Sequence, residues 1–265
     1  MRPGLAAPRR LVRSVVTASA FLAALTVPLG VDPVRPADAL AAPRPANIVV
    51  LGDSVPSGGA CGCVPFGPRY GAMVSRHTGA PAETTNLARG GYTVPDVRQQ
   101  LETAPARAAI RAATTVVIMV GANDLGPAYG LVRRGAPVDA TFARAAREVR
   151  ADVTAAVERI RSLHRGPVQV AVLGYWNVFR DGRVGLESYG AAGLALANTA
   201  TRYANRGLAQ AAENTASRYV DSSPAFKGPD GTEDPTPLLA PDGDHPNAAG
   251  HTRIALRLLR ALPNG

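Results

Sequence analysis

Short apolar runs alternate along the chain with longer segments of mixed character. Residues 48–51, 115–120 and 168–173 form nearly continuous apolar runs, which are typical of strands buried on both faces of a parallel sheet. Two weaker strands are predicted at residues 84–88 and 218–220. Because these strands alternate with helical patterns, we predict an α/β domain with about five parallel strands and helices on both faces.

Between the predicted strands, apolar residues recur at helical spacing. Helices are predicted over residues 70–78, 94–105, 142–160, 189–215 and 254–259. Gly79 is a suitable stop for the first of them, and Pro105 is expected to end the second. Residues 222–246 are rich in proline, glycine and aspartate, so they predict one long loop.

The beginning of the chain has a different pattern. Several arginines precede an apolar stretch over residues 15–29, and small residues follow over residues 37–41. This order predicts a secretory signal peptide cleaved near Ala41. A membrane anchor is the alternative, but the stretch is short for a span of ~20 residues and is interrupted by Pro28 and Gly30.

The expected organisation is therefore a signal peptide over residues 1–41, a short linker over residues 42–47 and one domain over residues 48–265. The processed protein is expected to be extracellular, to lack a stable membrane anchor and to act as a monomer. The formal net charge is +9, but the arginines are interspersed with acidic residues. A nucleic-acid partner is therefore not predicted.

The chain has only two cysteines, Cys61 and Cys63, separated by a glycine. Export favours a disulfide between them, and Gly62 would allow the bend that closes so small a ring. Two free thiols remain the alternative. Two cysteines alone are too few for a structural zinc site, and we predict no metal.

Polar strings follow the predicted strands. They are GDS at residues 52–54, NLARGG at 86–91 and GAND at 121–124, and a fourth, DGDHP, occupies residues 242–246 before the last helix. Ligands of open parallel sheets bind beyond the carboxyl ends of the strands. We therefore expect these four segments to converge on one site.

The residue types in these strings suit acyl transfer. Ser54 would be the nucleophile and His245 the base that removes its proton. Asp242, three residues before His245, would hold the imidazole in the required tautomer. Asp244 is a poorer partner, because adjacent side chains usually point apart. A calcium loop is not predicted, since the DGDH string lacks the required spacing.

An oxyanion formed during acyl transfer requires hydrogen-bond donors. Candidates are the amide of Ser54, an amide of Gly90 or Gly91, and the side chain of Asn123. Simpler structural roles compete with these assignments: Ser54 could cap a helix, and Asn123 with Asp124 could form a turn after a strand.

Together, the four strings resemble the four ordered blocks of the SGNH/GDSL hydrolases, over essentially the whole chain after residue 41. The resemblance implies Ser54 as nucleophile, Gly91 and Asn123 as oxyanion donors with the Ser54 amide, and Asp242 and His245 as its catalytic partners. It also implies a flavodoxin-like three-layer α/β/α sandwich and no cofactor. One departure is Pro56, which is expected to delay the start of the helix after Ser54.

The resemblance implies a secreted serine hydrolase of the esterase or lipase type, which cleaves carboxylic esters through an acyl-serine intermediate. Substrates would be small-molecule, lipid or glycan esters. A deacetylase of acetylated polysaccharide and a catalytically silent surface- or carbohydrate-binding module are the alternatives. Tyr175, Trp176 and Phe179, after the fourth predicted strand, could contact a substrate or simply pack at the rim of the sheet.

Overall fold

The computed structural model describes residues 45–262. The predicted signal peptide and the first half of the predicted linker, residues 42–44, lie outside the described residues. The first strand begins at Ala46, within the range predicted as linker.

Five parallel strands form the central sheet, which confirms the fold class predicted from the sequence. The strands are β1 (Ala46–Gly52), β2 (Ala82–Asn86), β3 (Thr115–Met119), β4 (Gln169–Leu173) and β5 (Arg218–Val220). Their order in the sheet is β2-β1-β3-β4-β5, and each neighbouring pair is parallel. This is the order of flavodoxin-like sheets, whose ligands bind where the winding reverses between β1 and β3.

Helices cover both faces of the sheet and complete a three-layer sandwich. They are α1 (Ser54–Ser57), α2 (Phe66–Thr78), α3 (Val94–Gln100), α4 (Ala104–Ala112), α5 (Ala122–Arg133), α6 (Val138–His164), α7 (Gly182–Asn214), α8 (Ser223–Lys227) and α9 (Ala248–Ala261). Helix α2 packs with α9, while α3 to α7 pack as a second group in which α6 and α7 are the main partners. Within residues 45–262, no helix is both long and apolar enough to cross a membrane.

Burial follows the apolar pattern of the strands. All five residues of β3, the most apolar run, are buried at the centre of the sheet. Edge strand β2 alternates between exposed and half-buried positions instead. A strand covered by helices on both faces buries both sets of side chains, whereas an edge strand leaves one set near water. The position of β3 is thus consistent with its sequence.

One predicted helix end and one of the structural alternatives are wrong. Pro105 does not end a helix: α3 ends at Gln100, and Pro105 lies in the first turn of α4, where its missing N–H costs nothing. Asn123 and Asp124 do not form a turn, because α5 starts directly after Gly121 and includes both of them.

The later part of the chain also contains more helix than predicted. Helix α7 begins at Gly182, where the Asp181 side chain caps it, and is kinked at Gly190. The predicted long loop over residues 222–246 contains α8 and a short 3₁₀ turn, Thr236–Leu238. Proline in a first helical turn reads like a loop signal in sequence, which explains why α8 was missed.

The end of β1 passes very close to β3. Gly52 has φ +146°, and a Cβ at this position would overlap the Met119 carbonyl. The next amide, that of Asp53, donates to the same Met119 carbonyl at 3.1 Å. Only glycine fits this close approach, and it turns the chain so that Ser54 emerges at the reversal point between β1 and β3.

Candidate active site

Ser54 is the first residue of α1, half-buried at the carboxyl end of β1. The helix cap is Asp53, whose Oδ1 accepts from the Val55 amide at 3.1 Å. The alternative in which Ser54 caps the helix is therefore wrong. Pro56 does not delay the helix, because it lies in the first turn, where the amides have no intrahelical acceptor. The Pro56 carbonyl accepts from the Asn86 side chain at 2.8 Å, which ties the GDS and NLARGG segments together.

The loop before α9 joins Asp242 to His245. Asp242 Oδ2 lies 2.7 Å from His245 Nδ1, and Asp242 Oδ1 accepts from the amides of Asp244 at 3.0 Å and His245 at 3.1 Å. Partial burial raises the pKa of Asp242, but these hydrogen bonds outweigh it, so the pKa is lowered overall. An ionised Asp242 that accepts from Nδ1–H leaves Nε2 as the basic nitrogen. Asp244 does not bond the ring.

Ser54 and His245 both lie against Gly59. A Cβ on Gly59 would be 3.3 Å from the Ser54 Cβ and 3.4 Å from His245 Cδ2. The Gly59 amide also donates to the Ser54 carbonyl at 2.9 Å, which holds the glycine over the start of α1. The structure thus brings the three predicted residues of the triad to one place, from segments about 190 residues apart.

Of the predicted oxyanion donors, the Gly90–Gly91 turn has a direct neighbour in Ser54. A Cβ on Gly90 would be 3.9 Å from the Ser54 Cβ, and Gly91 follows with φ +82°, a conformation that favours glycine. The Asn123 amide donates to the Tyr92 carbonyl at 2.8 Å. Because a carboxamide has two N–H groups, this bond orients Asn123 toward the glycine turn and leaves one donor for a ligand.

Sequence reasoning gave Asp53 no role, yet it is the most deeply buried carboxylate beside this site. It is 1% exposed, and Tyr175 donates its hydroxyl hydrogen to Oδ2. Burial raises the pKa of Asp53 to about 7, although the bonds from Tyr175 and the Val55 amide oppose the shift. The available signal was a polar residue placed between a fully apolar strand and the candidate nucleophile.

The aromatic residues after β4 pack inside the protein. Tyr175 and Trp176 are buried, and Trp176 stacks on Phe226 with ring centroids 4.0 Å apart. Phe179 is half-buried and lies 4.3 Å from the ring of Tyr129. For Tyr175 and Trp176, packing rather than substrate contact is therefore the role that the structure supports.

Asp124 also serves the site indirectly. Both of its carboxylate oxygens lie 3.2 Å from the Val94 amide, at the start of α3. Burial raises the pKa of Asp124 to about 6 despite this bond. The contact joins the first turns of α3 and α5, and it thereby fixes the position of Asn123 relative to the glycine turn.

The segment after α1 is closed by a disulfide between Cys61 and Cys63, whose Cα atoms are 5.1 Å apart. Gly62 between them has φ +59°. His251 of α9 lies beside this segment and is fully buried. Burial, together with the nearby Arg69, lowers the pKa of His251 to about 4, so its ring is neutral at pH 7.

A comparison with known protein families shows which family contains this arrangement of residues. The model of the GDSL-like lipase/acylhydrolase family matches residues 50–253. The chain belongs to this family. The matched region contains every residue predicted for the triad and for the oxyanion donors. As a GDSL-like acylhydrolase, the protein is a carboxylic ester hydrolase.

Solved structures share the fold of this GDSL-like acylhydrolase. A lipase from a goat rumen metagenome has a TM-score of 0.67 at 19% identity, covering 82% of this chain and 97% of its own. An acetylxylan esterase from Geobacillus stearothermophilus has a TM-score of 0.57 at 22% identity, covering 81% and 92%. TesA has a TM-score of 0.53 at 19% identity, covering 83% and 98%. No curated protein sequence matches the chain.

Proposed function

We propose that this GDSL-like acylhydrolase is a secreted serine esterase with Ser54 as nucleophile, His245 as general base and Asp242 as the carboxylate that orients it. One observation supports this most: the Asp242–His245 pair, joined at 2.7 Å, lies against the same glycine as Ser54. Triads of this type are recognised by the roles and geometry of their residues and not by their order in the sequence, which supports the assignment.

The proposed reaction begins when His245 takes the Ser54 proton while the oxygen attacks the ester carbonyl. Asp242 stabilises the resulting imidazolium. The Ser54 amide, an amide of the Gly90–Gly91 turn and the free N–H of Asn123 stabilise the oxyanion. The alcohol leaves with the proton from His245. Water then attacks the acyl-serine with His245 again as base, which releases the acid and restores Ser54.

The substrates that we propose are short acyl esters, including acetyl groups on polysaccharide. Gly90, Gly91 and Asn123 are all exposed, so the oxyanion side of the site lies at the surface. An open site of this kind admits a bulky alcohol such as a glycan. The acetylxylan esterase among the structural neighbours is named for a substrate of this class.

A fluorophosphonate probe tests the nucleophile. We expect the probe to label the wild-type protein at Ser54 and not to label Ser54→Ala. Ser57→Ala is the matched control, since Ser57 lies in the same helix and its hydroxyl donates to the Ser54 carbonyl at 2.9 Å. Mass spectrometry of the labelled peptide gives the site. A folded wild-type protein that is not labelled would overturn the assignment of Ser54 as nucleophile.

Substrate class and secretion need separate measurements. Hydrolysis of aryl esters of increasing acyl length should fall beyond short chains, and acetate should be released from acetylated xylan. Equal or faster cleavage of long-chain esters would favour a lipase.

For secretion, we expect protein recovered from the culture medium to begin near Ala42. Protein that keeps its intact N-terminus and is found only in cells would contradict secretion.

A further inference from the structure

His251 has no hydrogen-bond partner for either ring nitrogen among residues 45–262, although it is fully buried. A buried polar group without a hydrogen-bond partner destabilises the folded state. Such groups in folded proteins often have an unseen water or ion as partner. His251 is therefore a candidate ligand for such a partner.

The neighbours of His251 are the two cysteines. Cys61 Sγ, Cys63 Sγ and a ring nitrogen of His251 all lie within 4.8 Å of one another. The sulfurs come from the segment after α1, and the histidine comes from the second turn of α9. Sequence reasoning counted only two possible ligands here, and tertiary packing supplies the third.

Two thiolates and an imidazole form a ligand set that suits Zn²⁺. Sites with three protein ligands leave the fourth tetrahedral position to water. Cys61 and Cys63 are only partly buried, so water can reach that position, while His251 is held in place by the core. Disulfide sulfur is a poor ligand, and the metal therefore requires the reduced pair.

We propose that the reduced protein binds one Zn²⁺ ion through Cys61, Cys63 and His251, and that the disulfide and the metal complex are alternative states of this segment. A dithiol reductant supplies two electrons and two protons to the disulfide and itself becomes a disulfide. Zinc binding then releases the two thiol protons to solvent. Reoxidation by a disulfide oxidant reverses both steps and expels the metal.

The zinc site lies next to the proposed catalytic residues but shares none of them. The Cys61 amide is 3.5 Å from the Gly58 carbonyl. Gly59, which comes directly after Gly58, is the residue that lies against Ser54 and His245. The site is therefore independent of whether Ser54 is the nucleophile, and its test can fail or succeed separately.

Cobalt substitution provides the test. The full chain, reduced with dithiothreitol and freed of it under anaerobic conditions, is titrated with Co²⁺. We expect thiolate-to-cobalt charge-transfer bands and visible bands of a tetrahedral site, saturating at one ion per chain and abolished by Zn²⁺. The oxidised protein should show none. A reduced protein without these bands would overturn the proposal.

Variants assign the ligands. Because changing an outer-shell partner of a metal ligand already costs about 10–100-fold in affinity, removing the ligand itself in His251→Leu should weaken Co²⁺ binding at least about tenfold. Cys63→Ser should remove most of the charge-transfer intensity. His77→Ala, which changes an exposed histidine of α2, should bind as the wild type does. Should His251→Leu fail to fold, zinc-edge X-ray absorption of the reduced wild type still decides, with two sulfurs and one imidazole expected. Equal affinity in folded His251→Leu, or no imidazole in the spectrum, would contradict the site.

Discussion

Asp53 places an ionisable group in the core, one residue before the proposed nucleophile. Burial raises its pKa from the ordinary value of 3.8 to about 7. Between these values the folded state binds the proton and the unfolded chain does not. The stability associated with protonated Asp53 is therefore complete at low pH and is lost as the pH rises through about 7.

Asp53→Asn removes this charge at constant size. Each unit of pKa shift corresponds to about 1.4 kcal/mol, so a shift of about three units corresponds to about 4 kcal/mol at most. At all pH values the free energy of unfolding of the variant is lower by roughly 1 kcal/mol, because one of the two accepting oxygens becomes an NH₂ group. That group cannot accept from its former donor, Tyr175 or the Val55 amide. Relative to wild type, its free energy of unfolding should rise by about 3 kcal/mol between about pH 4.5 and pH 8.

Urea unfolding followed by circular dichroism measures this difference. Asp230→Asn, which changes an exposed carboxylate, is the control and should track the wild type at every pH. Titrating groups that do not interact with Asp53 are common to all three proteins and cancel in the comparison, whereas Asp124 and His245 interact with its charge and belong to the measured difference. A wild-type-to-Asp53→Asn difference that stays constant within about 1 kcal/mol across this range would refute the assigned pKa.

Three further predictions concern the catalytic loop, the oxyanion donors and a buried ion pair between Lys227 and Asp181. Asp242→Asn should slow ester hydrolysis by about 10³–10⁴-fold through loss of the required tautomer, whereas Asp244→Asn should have a much smaller effect; similar losses in both would contradict the assignment. Asn123→Ala should lower kcat about 10²–10³-fold with little change in the unfolding midpoint, and an unchanged kcat would exclude it as an oxyanion donor. Lys227→Met should lower the free energy of unfolding in urea by about 3–5 kcal/mol, because it leaves the Asp181 carboxylate buried without its cation; this side chain is 3% exposed and lies 2.8 Å from Lys227 Nζ. The added change Asp181→Asn should recover most of the loss, and no recovery would argue against the pair.

The sequence by itself determined the sheet. Apolar runs of β-branched residues, such as that of β3, have few ways to be buried except as central strands, so their positions could be read directly. Gly79 ends α2 as predicted, since the left-handed conformation at a helix end favours glycine. The strings at the strand ends also converge as expected, because parallel strands share one carboxyl edge.

Tertiary structure decided what local patterns do not encode. Asp53 meets Tyr175, 122 residues away, only because β1 and β4 flank β3 and end at the same edge. His251 lies beside Cys61 and Cys63 only because its helix, α9, packs on α2, and α2 begins shortly after the two cysteines in the chain. Burial, and with it the pKa of Asp53 and the missing partner of His251, depends on which elements pack together. That choice follows from the whole core and not from the residues next to each group in the chain.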